Sequence, residues 1–184
     1  MTELLIHDPN GATPSRRIED ITALTSELGA IGLRFERWKA TVDLPPEAGA
    51  PEILDAYAAD IARLTALGGY RTADVMRLAP DHPDRVALRA KFKREHTHSD
   101  DEVRFFVEGS GKFFVHAEGK VYEIRCTRDD LLLVPAGARH WFDAGESPSF
   151  TAIRLFVDPQ GWEAHYTGDD IADRVGETRP GQAA

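Results

Sequence analysis

The chain has 184 residues, enough for one sizeable core and short for two, so a single domain is expected over 1–184. Its 22 Lys and Arg face 31 Asp and Glu, a formal net charge of −9, with no block of basic charge expected to break that balance. Nucleic acid and anionic membrane are thereby disfavoured as partners, because binding either begins with a basic patch. One cysteine, Cys126, excludes an intramolecular disulfide and an all-cysteine metal site; with no basic lead and no long apolar run, the chain is expected to be soluble, unexported and cytoplasmic.

Residues 1–91 read as a mixed α/β cap. Ile18, Ile21, Leu24 and Leu28 recur at helical spacing after Ser15, a candidate N-cap, and this helix should stop near Gly29. Leu33 to Ala40 suits a strand. A second helix opens at Pro51, places Ile53, Tyr57, Ile61 and Leu64 on one face, and ends at Gly68-Gly69. Thr72 to Leu78 suits another strand, and Asp81-His82-Pro83 marks a turn before a short helix to about Lys91.

From Phe92 the period changes to two. Glu102 to Glu108, Lys112 to Ala117, Val121 to Arg125, Leu131 to Val134, Arg139 to Asp143 and Phe150 to Val157 are short runs separated by turn residues. Evenly spaced short strands predict a β-sandwich or barrel over 92–166, with the helices packed outside it. Residues 167–184 read as an extension, loosely held from Val175 onward.

The stretch Glu95-His96-Thr97-His98-Ser99-Asp100-Asp101-Glu102 carries the chemistry. Histidines at i and i+2 share one face of a strand, and a turn brings a carboxylate back towards them. A lone strand histidine is more often structural than a ligand. Here, however, His96-x-His98-xxx-Glu102-xxxxxx-Gly109 is answered by Pro135-x-Gly137-xx-His140, a spacing few sequences meet in this order. Three imidazoles and one carboxylate leave two octahedral positions open and offer no thiolate, which suits iron(II), nickel(II) or manganese(II) better than a closed structural zinc.

Strand parity suggests what surrounds these ligands. Phe92, Arg94, His96 and His98 would share one face; Glu102, Arg104 and Phe106 another; His140 and Phe142 a third. Metal, guanidinium and aromatic walls together suit a small anionic substrate with an apolar tail. Phe92 and Phe142 are the wall candidates, while Phe105, of opposite parity, should face an outer layer. Arg154 interrupts an otherwise nearly apolar run and must meet an anionic ligand or a counter-charge, with Glu95, Asp101 and Asp143 as candidate partners. Asp100 and Asp101 sit in the turn beside the ligands, where they either support an imidazole by a hydrogen bond or solvate the loop. His7, His82, His116 and His165 have no partnered spacing and are expected to be structural or exposed.

The two halves of this pattern resemble the paired metal-binding motifs of the cupin superfamily. More closely, Glu95-His96-Thr97-His98, the segment from Glu102 to Gly109, the segment from Val134 to Asp143, and Arg154-Leu155-Phe156 resemble the acireductone dioxygenase family of methionine salvage. The likeness extends from about Phe92 to Gly161. Asp129 and Ala144 depart from the general cupin pattern, which has Gly and Asn there, but neither is a ligand. The resemblance implies a mainly β fold, a cupin double-stranded β-helix or jelly-roll barrel with N-terminal α/β elements outside. It also implies one Fe(2+) or Ni(2+) per chain on His96, His98, Glu102 and His140, with Arg104 and Arg154 holding the substrate.

That substrate would be the acireductone 1,2-dihydroxy-5-(methylthio)pent-1-en-3-one, with O2 as co-substrate. An iron form would yield formate and 4-methylthio-2-oxobutanoate; a nickel form would yield formate, carbon monoxide and 3-methylthiopropanoate. The acidic surface favours a monomer. A cupin isomerase or quercetin-type dioxygenase would instead require sugar-binding polar residues or a larger cavity near Phe142 and Arg154, and a non-catalytic ligand-binding cupin would tolerate loss of a metal ligand. With Glu102 committed to the metal, no residue stands out as the substrate's proton acceptor.

Overall fold

The computed structural model describes residues 1–11, 13–38, 44–45, 48–158 and 163–175. Its organising element is the long strand β6 (Glu102–Ala117), which belongs to both of two antiparallel sheets. One sheet runs β2 (Arg16–Ile18), β1 (Glu3–His7), β7 (Lys120–Thr127), β6, β9 (Arg139–Asp143), β5 (His96–Thr97) and β11 (His165–Tyr166). The other runs β3 (Arg34–Arg37), β8 (Asp130–Val134), β6, β10 (Phe150–Phe156) and β4 (Thr72–Leu78). The fold is thus mainly β, with the double-layered arrangement of a cupin barrel.

The bend in β6 has a local cause. Two separate strands were expected on either side of Gly109-Ser110-Gly111, yet the ladder continues through them. Gly109 adopts φ +75, a left-handed conformation that glycine enters without steric cost, and a Cβ there would lie 1.9 Å from the Ser149 carbonyl oxygen. The register shift between Thr151 and Ala152 on β10 absorbs the same irregularity. Residues before the bend pair with β8 and β10, and those after it pair with β7 and β9. Asp129, which stands where the cupin pattern has glycine, also has a left-handed φ, +79, which a short polar side chain tolerates better than most.

Period-two alternation sorts the side chains into layers. Phe106, Phe113, Ile124, Leu132, Val134, Phe142 and Phe150 join the barrel's inner cluster. Phe105 points the other way, 4.6 Å from the Trp38 ring and 5.1 Å from that of Tyr57. It belongs to an outer cluster with Ile53, Leu64 and Tyr70, covered by α2 (Ala50–Ala56) and α3 (Ala58–Gly68). Each such fully buried side chain contributes on the order of 1.5–3 kcal/mol.

Several local expectations shift. Helix α1 (Ile21–Ala30) begins after Asp20, whose carboxylate accepts from the Ala23 N–H at 2.9 Å. Ser15 is therefore not the cap: its N–H and hydroxyl both bind the Ile6 carbonyl, and Ile18 pairs with Leu4 in β2. The helix expected from Pro51 to Gly68 breaks at Tyr57, which leaves helical geometry and buries its ring against Phe105; Gly69 then caps the end with φ +69. Helix α4 (Arg85–Phe92) runs one residue past its expected end and takes Phe92 with it, so Phe92 shares no strand face with His96 and His98.

The C-terminal extension is docked as far as Val175. Ile171 and Ala172 of α5 (Ile171–Arg174), together with Val175, are buried on Phe114, Val121 and Trp141. The remaining tail, 176–184, and the end of the expected strand at 39–40 lie outside the described residues. No helix among the described residues is long and apolar enough to cross a membrane.

Gly109→Ala should destabilise the protein by about 2–4 kcal/mol, because it combines a disfavoured φ with a backbone clash. Urea unfolding would register this as a lower midpoint. An unchanged midpoint would show that the bend does not need glycine.

Candidate metal centre and its cavity

β5 and β9 lie side by side with His96 opposite His140, while the turn after His98 returns the chain to Glu102 at the first position of β6. The two halves of the motif are tied together. The Gly137 N–H donates to the His98 carbonyl at 2.9 Å, and the Ala136 N–H donates to Asp101 Oδ1 at 3.0 Å. His96, His98, Glu102 and His140 are all buried, and each places one ligating atom within 4.8 Å of the others. Glu102 Oε2 lies 2.9 Å from His140 Nε2 and 3.6 Å from His98 Nε2.

The backbone sets the imidazole tautomers. Nδ1 lies 2.6 Å from the Arg94 carbonyl in His96, 3.1 Å from that of Glu163 in His98, and 2.8 Å from that of Ala138 in His140. A carbonyl only accepts, so each Nδ1 carries the proton and each Nε2 lone pair is left for a cation. Those three carbonyls orient the imidazole rings. Asp101 accepts from the Ala136 N–H and, at 3.3 Å, from the Tyr70 hydroxyl, whose pKa burial and the Asp101 charge push up to about 12. Asp100 accepts from the Asp158 N–H at 2.9 Å.

Electrostatics reinforce the set. Burial, with the nearby His140 next, lowers the His96 pKa to about 4, so this imidazole is neutral at physiological pH. Burial would also lower His98, but the hydrogen bond and charge of Glu102 outweigh it and leave it raised. Glu102 is held well below the usual carboxylate range: burial opposes ionisation, and the Arg104 charge, aided by the neighbouring His140 and His98, overcomes it. Three aimed imidazole lone pairs and an ionised carboxylate fit one divalent cation, and a six-coordinate ion would keep two positions for other ligands.

Arg104 binds Glu102 Oε1 through one terminal nitrogen at 2.7 Å. Its Nε and other terminal nitrogen are buried without a hydrogen-bond partner, and its guanidinium lies over the rings of Phe142 at 4.4 Å and Phe113 at 5.1 Å. Unmatched buried donors cost about 1–3 kcal/mol each, which an anionic acceptor would recover. Arg154 has a carboxylate partner that was not among those expected for it. Its fork instead holds Asp74, at 2.8 Å through Nε and 2.5 Å through a terminal nitrogen, because Asp74 is its direct partner across β4 and β10. Glu95 is engaged elsewhere, accepting from His116 and from the Thr167 hydroxyl, and Asp143 is held by Arg89.

A cavity of about 720 Å³ opens on this centre. His96, His98, Glu102, Arg104, Arg154, Phe92 and Phe142 all line it. Phe92 reaches it from the end of α4, with its ring 6.5 Å from that of Phe142. Sequence spacing did not identify Val75, Met76 and Arg77 on β4, Leu88 and Lys91 on α4, or Glu163, Ala164 and Tyr166 of the C-terminal segment. These arrive from distant elements, and no spacing within one segment brings them together.

Glu95 also fixes that C-terminal segment. Its backbone carbonyl accepts from the Thr167 N–H at 3.2 Å, and Tyr166 pairs with His96 across β11 and β5. Glu95, His116 and Asp169 form a second group of potential ligating atoms, but Asp169 Oδ1 is already bonded by the Ile171 N–H and Arg174, so the group serves as a clasp.

Three imidazoles and one carboxylate inside a double-layered antiparallel barrel define a metal-binding protein of the cupin class. The chain belongs to the ARD/ARD' family, whose model matches residues 3–164. It is 49% identical over 185 aligned positions to an acireductone dioxygenase of Stenotrophomonas maltophilia (strain K279a), covering 100% of each chain. It is 50% identical over 173 positions to one of Xanthomonas axonopodis pv. citri, covering 94% of this chain and 92% of that protein. Among solved structures, it resembles acireductone dioxygenase from Bacillus anthracis with a cadmium ion in its active centre, at TM-score 0.81 and 34% identity over 90% of this chain and 98% of that one.

The pKa shifts give metal uptake a definite pH dependence. A proton on His98 competes with the cation, so affinity should fall by roughly tenfold or more per pH unit once pH drops below the raised His98 value, while His96 stays neutral down to about 4. For the apoprotein the sign reverses. The raised His98 contributes stability that is complete below its unfolded value of about 6.5 and is lost as pH rises through the folded one. Chelator competition from pH 8 to 5 measures the first effect, and denaturant titration of apoprotein measures the second. A flat affinity profile would exclude His98 from the metal shell.

Proposed function

We propose that this chain is a metal-dependent acireductone dioxygenase using one Fe(2+) or Ni(2+) on His96, His98, Glu102 and His140. The observation that carries the reading is the join between a His3Glu donor set and the unsatisfied guanidinium of Arg104 in one cavity. A divalent ion held there by His96, His98, Glu102 and His140 would supply Lewis acidity towards an enediolate.

The chain's own residues do the rest. Arg104, with two free N–H donors and aromatic rings about it, stabilises the substrate as its anion. Arg154, held in orientation by Asp74, presents a second positive charge from the opposite strand. Phe92, Phe142, Val75, Met76 and Leu88 offer the apolar side against which a methylthio tail packs. The three carbonyl-anchored imidazoles and the Arg104-anchored carboxylate keep the donor set from rearranging as substrate binds. In this orientation the electron-rich enediolate reacts with O2 and its carbon chain is cleaved. Burial of the reacting end limits side reactions with water.

Arg154→Met should lower kcat/KM by about 10- to 100-fold, as expected for loss of a charge-assisted contact, while metal content stays at the wild-type level. Oxygen consumption and elemental analysis of the same preparation measure both. Full activity would make Arg154 a structural partner of Asp74 only. Metal loss on its substitution would reassign it to the support of the centre.

The bound metal should select the products. Apoprotein reconstituted with iron(II) is expected to give formate and 4-methylthio-2-oxobutanoate; the nickel(II) form is expected to give formate, carbon monoxide and 3-methylthiopropanoate. Headspace carbon monoxide and chromatography of the acids distinguish them. Equal carbon monoxide from both forms would refute metal control, and absence of oxygen consumption from either would refute the dioxygenase reading.

A further inference from the structure

Between Arg85 and Arg94 the chain carries Arg85, Arg89, Lys91, Lys93 and Arg94 and no carboxylate. The absence of any basic block, expected from the whole-chain balance, therefore does not hold here. On a protein of net charge −9 this is a local reversal of sign, and the fold sets it beside the cavity because α4 ends one turn before β5. Arg89 of this group is bound to Asp143, and Arg94 lies over the Tyr166 ring at 4.0 Å.

Lys91 differs from the cations around it. It is exposed yet lines the cavity, which places its side chain at the opening. The other lining cations are held by partners: Arg77 by the Thr151 hydroxyl and the Ala48 carbonyl, Arg104 by Glu102, Arg154 by Asp74. Lys91 has no hydrogen bond or ion pair among the described residues. A compact ammonium on a flexible stem, with no carboxylate in ion-pair contact among the described residues although Glu163 also lines the cavity, acts at range on an approaching anion.

We propose that Lys91 is the electrostatic guide of the cavity mouth, drawing the substrate as an enediolate anion through an otherwise acidic surface and raising its local concentration at the centre. This rests on the dioxygenase reading. Lys91 acts on capture and makes no contact with the reacting atoms, so its charge sets KM and leaves kcat alone. Conserving the charge preserves the effect, and salt removes it, because the screening length falls from about 30 Å at 0.01 M to about 3 Å at 1 M.

The test compares metal-loaded wild type with Lys91→Glu, Lys91→Arg and Lys120→Glu, the last making the same charge change at the exposed start of β7, outside the cavity. At 0.01 M salt Lys91→Glu should raise the KM for acireductone roughly fourfold, the effect of reversing a unit charge about 10 Å from an anion in water. Its kcat and metal content should match wild type, Lys91→Arg should restore KM, Lys120→Glu should not alter it, and the gap should close in 1 M salt. An unchanged KM at low salt, a deficit that persists in 1 M salt, or an equal rise in Lys120→Glu would overturn the proposal.

Titration calorimetry with ascorbate, a stable enediolate anion, repeats the comparison without turnover. If wild type consumes no oxygen with acireductone but the salt-sensitive difference in ascorbate affinity remains, the dioxygenase reading fails and the cationic mouth stands. If oxygen consumption is normal and neither KM nor ascorbate affinity responds to Lys91, the guide fails and the dioxygenase reading stands.

Discussion

A single carboxylate connects the barrel's chemistry. Glu102 turns one oxygen towards the imidazoles of His98 and His140 and the other towards Arg104, which sits two residues along the same face of β6. Its charge is what makes the burial of Arg104 tolerable, and the guanidinium in turn keeps the carboxylate ionised inside the protein. The candidate donor set and the unmatched donors of Arg104 are thus joined through one side chain. Removing it would strand both a buried guanidinium and an incomplete donor set.

The backbone gives that carboxylate a fixed place. Gly109 lets β6 cross from one sheet to the other, so the strand that begins with Glu102 and Arg104 also pairs with β9, which carries His140 and Phe142. The C-terminal segment then closes over the ligands, with the Glu163 carbonyl on His98 and Tyr166 paired to His96. Its anchor is Glu95, a buried neighbour of the first ligand. Consecutive residues at the entry to β5 therefore serve opposite ends: His96 faces the centre and Glu95 fastens the cover.

The cavity is organised by charge as well as by shape. Its inner guanidinium groups are held by acidic or carbonyl partners, while the rim carries an exposed ammonium without an ion pair among the described residues. The apolar side contributed by β4, α4 and β9 leaves room for an uncharged tail.

The sequence by itself determined the metal ligands' grouping and the mainly β architecture, because both are written at short range: His96 and His98 by the period of a strand, Glu102 by the following turn, and the barrel by evenly spaced runs between turn residues. Parity also placed Phe105 outside and Phe106 inside. The partners of long side chains were not legible. Asp74 faces Arg154 only because β4 pairs with β10, eighty residues apart in sequence, and no local pattern records that register. Phe92 reaches the cavity from a helix end where a strand face was expected, and the backbone carbonyls that orient the imidazoles carry no residue signature at all. Tertiary structure decided these points because cross-strand register, helix docking and carbonyl direction depend on how separate elements pack, which period and spacing within one segment do not encode.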